Sequence, residues 1–307
     1  MNATPHDFRA PFLAIVNPAA GGGRCGTLAP KALARLKQSG VEIETVSTSR
    51  AGEATEIARK AYGQGVRNFL AVGGDGTSYE VVNGLFPEAE TGGRPALGFL
   101  PLGTGNSFLR DFTADGIEYS IEAIRCGRRR ACDVIRLQHA DGILYFLNLL
   151  SLGFPADAGE IANRRLKRWG ELGYIFAVLA RLAALKHAAF PHRLAGETEW
   201  DRRPFLFLAF TNSKFTGGKM MIAPKADPAD GLIECVRWQP VGRMRLLWNF
   251  PRLFSGTHID HALASRSGTS RVDFALDGPV TAMVDGEILR LQCQSLEVLP
   301  GALDVMI

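Results

Sequence analysis

Three glycines, Gly73, Gly74 and Gly76, fall within four positions of the run "FLAVGGDGTSYEVVNGLF" (69–86), directly after an apolar, strand-like stretch. Each costs roughly 0.5–1 kcal/mol of chain entropy relative to alanine, so their crowding needs a reason, and close approach of backbone to a ligand is one. A glycine turn at the end of a parallel strand, with a helix opening at Thr77, is a cradle for a phosphate group. Asp75 sits in the middle of that cradle. Two like charges ~4 Å apart at an effective dielectric of ~20 repel by about 4 kcal/mol. A carboxylate here therefore calls for a bridging cation such as Mg2+, or for a hydrogen-bond donor that holds it clear of the anion.

Two more glycine loops follow strand-like runs. "LGTGN" (102–106) offers the Thr104 hydroxyl and the Asn106 amide, both suited to a phosphate or a metal-bound water, and "NPAAGGGR" (17–24) can reach the same strand ends. No G-x-x-x-x-G-K-[ST] occurs, and no G-x-G-x-x-G directly abuts a strand-like run, which argues against a Walker-type NTPase and a simple dinucleotide site. In the second half, "AMVDGEILRL" (282–291) reads first as a hairpin, because Asp-Gly divides two apolar runs. Such a tip is also a rigid mount for Asp285 and Glu287, either of which can accept the proton of an attacking hydroxyl. "APKADPADGLIE" (223–234) is turn chemistry that also offers Asp227 and Asp230 as oxygen ligands for Mg2+. The two histidines of "HIDH" (258–261) lack a nearby third ligand and do not make a zinc site.

The elements that must position these residues divide into two textures. From Phe12 to about Ala131, short apolar runs alternate with helical stretches, the pattern of a doubly wound, Rossmann-like parallel sheet. Strands are expected at 12–17, 41–48 and 67–74, and a fourth ends in the 102–106 loop, with a helix after each. From about Cys132 the runs alternate or are apolar throughout and are divided by Asp-Gly and Gly-Pro turns, as in an antiparallel β-sandwich. One helical block, Ala162 to about His187, is inserted among them. The expected domains are 1–130, for nucleotide, and 131–307, for substrate, with the final "ALDVMI" free to return to the first.

The bulk numbers exclude several classes. With 307 residues, 46% hydrophobic and 21% charged, the chain is globular and long enough for two cores. Five cysteines, odd in number and scattered, indicate neither a disulfide framework nor a zinc site. No apolar run is long enough to span a bilayer and no leader-like N-terminus is present, so a cytoplasmic location is expected. A net charge of +4 hints at anionic partners, and no nucleic acid is expected among them.

Taken in order, Asn17-Pro18 with Gly21 to Gly23, Thr48 with Gly52 in "TSRAGEA", "GGDGTSYEVVNG" and "PLGTGN" resemble the catalytic domain of the diacylglycerol kinase and lipid kinase family, which includes sphingosine and ceramide kinases. The likeness continues through "GGKMMIAPKADPADGLIE" (217–234), "FSGTH" (254–258) and "VDGEIL" (284–289), and its compactness is that of the bacterial members. The resemblance implies an ATP- and Mg2+-dependent lipid kinase. It implies nucleotide contacts at Asn17, Pro18, Gly21, Thr48, Gly73, Gly74, Asp75, Gly76, Thr77, Glu80, Thr104 and Asn106. It makes Asp285, Glu287 and Asp75 the catalytic group, and it places a structural metal on Asp227, Asp230 and the Leu232 carbonyl. Arg164, Arg165, Lys167, Arg168 and Trp169, at the start of the inserted helix, are expected to rest on anionic headgroups at the inner face of the membrane, with a homodimer possible through exposed strands. Where the family usually carries aspartate after the asparagine of the second loop, Ser107 stands here, which puts metal affinity at that position in question. A soluble-metabolite kinase of the NAD kinase type lacks its Pro-Thr-Gly-Ser-Thr stretch in this chain, and a nucleotide- or lipid-binding regulator without turnover is the remaining alternative.

Overall fold

The computed structural model describes residues 10–153, 156 and 187–307, in two compact units. The first runs to Cys132 and regains Ala302–Ile307; the second is Asp133–Gly301. The inserted helical block, with the basic residues 164–168 and Trp169, lies outside the described residues.

The first unit is a parallel sheet. Strands β1 (Phe12–Val16), β2 (Ile43–Ser47), β3 (Asn68–Gly73) and β4 (Ala96–Pro101) lie in the order β2-β1-β3-β4. The end of the final strand (Cys293–Met306) adds to β4 in parallel, with Asp304 opposite Ala96 and Val305 opposite Leu97. The crossovers are α1 (Arg24–Gln38), α2 (Glu53–Gly63) and α3 (Asp75–Leu85), and α4 (Ile117–Arg125) follows β4. Cys25, Ala29, Ala32, Leu33 and Leu36 are buried at helical spacing on α1 and pack with Phe12, Ala14, Val16, Leu70 and Val72. Each fully buried aliphatic or aromatic side chain contributes about 1.5–3 kcal/mol, so this face alone fixes the register of sheet and helix. Alternation sends Ile15, Phe69, Ala71 and Leu97 to the opposite face, where they are equally buried. The helix α1 stops at Gly40, whose φ of 91° lets the Val41 N–H reach the Leu36 carbonyl.

The helix expected directly after the second glycine loop is instead a single 3-10 turn, Phe108–Asp111. Two neighbouring residues, Phe108 and Leu109, are both buried there, and the Phe108 ring packs between those of Phe99 and Phe112 at 5.5 and 5.4 Å. Short 3-10 turns are common as connectors, and this one buries both side chains without continuing into an amphipathic helix.

The second unit is a β-sandwich. After β5 (Arg129–His139) and β6 (Gly142–Phe146) come β7 (Leu149–Gly153), β8 (Phe207–Thr211), β9 (Ile233–Trp238), β10 (Ala264–Thr269), β11 (Arg271–Phe274), β12 (Val280–Val284), β13 (Glu287–Leu291) and the final strand, β14. One antiparallel sheet has the order β10-β9-β8-β7-β12-β13. The other layer contains β11 paired with β14. The layers meet through aromatic side chains: Phe210 of β8 packs edge-on against Phe274 of β11 at 5.3 Å. Two short helices, α5 (Arg243–Asn249) and α6 (Arg252–Ser255), follow β9. Among the described residues no helix is long and apolar enough to cross a membrane.

Candidate functional site

In the first unit the three glycine loops pack backbone against backbone. The N–H groups of Leu102 and Gly103 both donate to the Gly73 carbonyl, at 2.8 and 2.7 Å. A Cβ on Gly103 would lie within 3 Å of the Gly74 Cα and N, so the second loop can approach the first only as glycine. The Asn17–Arg24 loop joins them: Asn17 Nδ2 donates to Thr77 Oγ1 at 3.3 Å, and the Arg24 guanidinium donates to the Gly103 carbonyl at 3.1 Å. Gly21, Gly22 and Gly23 all adopt left-handed φ, of 63°, 68° and 92°. Pro18 packs on Gly26 at the start of α1, and Gly74 precedes α3 with no side chain capping its first turn. The N–H groups of Thr77 and Ser78 return to the Gly74 carbonyl, which leaves those of Asp75 and Gly76 at the start of α3 for an anion.

Asp75 has the donor that its charge demands. Ser107 donates its backbone N–H to Asp75 Oδ1 at 2.7 Å and its hydroxyl to Oδ2 at 3.0 Å. Burial nonetheless pushes the Asp75 carboxyl above the usual aspartate range, with the Ser107 bonds offsetting part of that rise. The serine departure is thus explained by its neighbour: an aspartate at 107 would set a second negative charge against a desolvated carboxylate, whereas serine donates to it. Asn106 stands at a left-handed φ of 51° and donates through Nδ2 to the Gly103 carbonyl, while Thr104 is exposed at the loop tip. Thr48 is buried after β2, its N–H on the Val16 carbonyl at 2.8 Å. Glu80 turns to the protein: its carboxylate accepts the N–H groups of Gly52 and Ala54, at 2.9 and 3.2 Å, and so caps α2 from α3.

In the second unit Asp285 and Gly286, at φ 47° and 91°, form the two-residue turn between β12 and β13. Asp285 is buried, and its carboxylate accepts three successive backbone N–H groups, of Leu147, Asn148 and Leu149, at 2.9, 2.9 and 3.0 Å. These bonds split the apolar run "GILYFLNLLSLGF" into β6 and β7. Glu287, two residues on, is exposed at the start of β13. Asp285 and Glu287 share one hairpin but not one environment.

The Asp227–Leu232 loop carries paired Asx turns. Asp227 accepts the N–H of Ala229 at 3.1 Å, and Asp230 accepts that of Leu232 at 2.9 Å. Desolvation, followed by the nearby charges of Asp227, Asp133 and Glu234, raises the Asp230 carboxyl above its ordinary range. Among the described residues no group of three or more His, Cys, Asp or Glu side chains is arranged to hold a metal ion. Asp133, not singled out from the sequence, anchors this loop: it is buried and accepts the N–H groups of Gly231 and Gly301, both at 2.7 Å. Its signal was a lone acid inside the apolar run "CDVIRLQ".

A small apolar cavity of about 20 Å3 lies in the same unit, lined by Leu149, Leu206, Phe207, Ile222, Phe250 and Met283 among others. Leu149 also donates to Asp285, and Met283 lies two residues before it, so the cavity adjoins the hairpin. One polar atom on the wall, Ser151 Oγ, is buried with no hydrogen-bond partner.

Comparison with known proteins gives this arrangement a family. Residues 11–137 match the family described as "Diacylglycerol kinase catalytic domain", and residues 148–307 match "YegS C-terminal NAD kinase beta sandwich-like domain". A diacylglycerol kinase of Mycobacterium tuberculosis strain H37Rv is 29% identical over 296 residues, covering 95% of this chain and 94% of that protein. A Pseudomonas aeruginosa PAO1 protein named "Probable lipid kinase YegS-like" is 30% identical, covering 89% and 87%. A crystal structure from Bacillus anthracis strain Sterne shares the fold, with a TM-score of 0.79 and 22% identity over 100% of this chain and 97% of that one. The chain belongs to the diacylglycerol kinase and YegS-like lipid kinase family, and is a kinase with an alcohol group as phosphate acceptor.

Proposed function

We propose that the protein transfers the γ-phosphate of ATP to the hydroxyl of a diacylglycerol-like lipid. The observation that carries this reading is the apolar cavity, which ends at the hairpin bearing two carboxylates. Its apolar lining suits an acyl chain better than a polar metabolite, and the unpartnered Ser151 hydroxyl offers one donor to an ester oxygen. Residues 1–130 would bind nucleotide and 131–307 the lipid.

The glycine loops fit a triphosphate, because Gly73, Gly74 and Gly103 leave too little room for a Cβ and so let the loops close backbone to backbone beside the first amides of α3. Mg2+, when bound, would neutralise phosphate charge, with Asp75 and Asn106 beside it. Glu287, exposed and without the three backbone donors that occupy Asp285, is the better proton acceptor for the lipid hydroxyl. Asp285 positions it by fixing the turn. A structural cation on Asp227, Asp230 and the Leu232 carbonyl would rest on the two aspartates of the paired Asx turns. Residues 164–169 as a contact with the inner membrane face, and a homodimer through a strand edge, belong to the same proposal.

The test is purified protein with labelled ATP and a panel containing diacylglycerols, sphingoid bases, phosphatidylglycerol and NAD. Labelled lipid is expected, and labelled NAD alone would overturn the reading. Glu287→Gln should lower kcat by roughly 10²–10⁴-fold without shifting the melting temperature. Asp285→Asn should instead melt lower, since its amide presents a donor to a buried N–H, at a cost of about 1–3 kcal/mol.

A further inference from the structure

We infer that α5 and α6 form a membrane-docking element that rests the wall of the apolar cavity on an anionic bilayer, a function that presupposes the lipid kinase reading. Seven large apolar side chains are exposed among the described residues, and four of them, Met244, Leu247, Trp248 and Phe254, fall within eleven positions of this segment. Trp248 is 81% exposed and Met244 69%. The same two helices turn Leu246 and Leu253 inward, where they line the cavity together with Phe250. The segment is apolar on both sides, and packing among the described residues accounts for only one of them. The outward tryptophan, on a helix of seven residues, is little covered by the described residues, and an aromatic ring with a polar N–H is suited to the boundary between headgroups and acyl chains.

Charge selects the occupant. Arg243, Arg245 and Arg252 are exposed, and none is paired with a carboxylate among the described residues. No aspartate or glutamate occurs from Cys235 to Ile259. A second copy docked on this face about a two-fold axis would set arginine against arginine. Anionic headgroups complement the arginines, and the four apolar side chains enter below them. Resting there, the element would bring the cavity wall to the place where a diacylglycerol-like substrate is dissolved.

The experiment uses the full chain and co-sedimentation with phosphatidylcholine vesicles, with and without phosphatidylglycerol. Binding is expected to require phosphatidylglycerol and to weaken with salt. Met244→Ser/Trp248→Ser should bind at least about tenfold more weakly. Replacing the three arginines with glutamine should weaken binding on the order of a hundredfold, from about fivefold per charge. Because Trp169 is itself a proposed membrane contact, quenching of tryptophan fluorescence by doxyl-labelled lipid is read in a Trp169→Phe background, where it should be lost on adding Trp248→Phe while vesicle binding is kept. Both docking variants should phosphorylate a short-chain, water-dispersed diacylglycerol at the wild-type rate. Wild-type binding by both variants, binding indifferent to phosphatidylglycerol, or quenching retained in Trp169→Phe/Trp248→Phe each overturns the inference. So does a dimer that the serine variant dissolves, with no vesicle binding, since it places a second copy on this face. Failure of the wild type to phosphorylate the short-chain lipid counts against the kinase reading, while the vesicle result decides docking in either case.

Discussion

The Asp75 carboxylate is a cost that folding alone does not explain. Burial raises its pKa even though Ser107 donates to it twice. An acid whose folded pKa exceeds its unfolded value, near 3.9, loses stability as pH rises from the second value through the first, and the deficit persists above both. Asp75→Asn removes the charge, keeps an acceptor for the Ser107 N–H and offers a donor to the Ser107 hydroxyl. Thermal melts from about pH 3 to pH 8 should show wild type and variant converging in acid, with the wild type falling below the variant as pH rises. Phosphate transfer should be lost at every pH. A variant that melts lower at pH 8 would show that the charge stabilises the loops and would defeat this account. The carboxylate's place in the phosphate cradle was legible from charge and glycine spacing. Its donor was not, because Ser107 is 32 residues away in sequence and is brought to it only by the pairing of β3 with β4.

At the scale of elements, the cradle is three loops held at backbone contact, and glycine serves two different purposes in it. Gly103 has no room for a side chain, since a Cβ would lie 2.3 Å from the Gly74 Cα. Gly22 has room but a left-handed φ of 68°. Gly103→Ala should therefore force the 102–106 loop away from the Gly73–Thr77 loop and weaken ATP binding tenfold or more. Gly22→Ala should cost about 1–2 kcal/mol of stability, the ordinary penalty of that conformation, with little change in affinity. Calorimetric titration with ATP beside urea unfolding separates the two, and equal losses of affinity would remove the distinction. Sequence identified the loops as a set, yet it cannot say which glycine is needed for space and which for φ. For the same reason it expected a helix after the second loop: the pattern marks Phe108 and Leu109 as apolar, and only the surrounding rings show that both are buried together.

For the whole molecule, the last residues are structural in the first unit. Leu303, Val305 and Met306 are buried, and Arg94 pairs with Asp304 at 3.3 Å. Removing residues 302–307 uncovers the edge of β4 and withdraws three core side chains, each contributing about 1.5–3 kcal/mol. Hydrogen exchange on the truncated chain should show β4 amides opening far faster than in the full chain, with β8 and β9 of the second unit protected as before. Unchanged protection of β4 would show that the return of the strand is dispensable.

Periodicity and glycine spacing were enough to give the α/β and antiparallel β architecture, and the ordered set of short motifs, by its resemblance to a known family, implied the family and the kinase activity. These depend on local chain chemistry and on which residues neighbour each other along the sequence. The tertiary structure decided what depends on residues far apart in the chain. It gave Asp75 its serine donor and turned Glu80 to the start of α2. It also enclosed Asp285 with three backbone donors while leaving Glu287 in the open. Two acids of one Asp-Gly-Glu motif look alike in sequence; burial and hydrogen bonding, which only folding assigns, give them different chemistry.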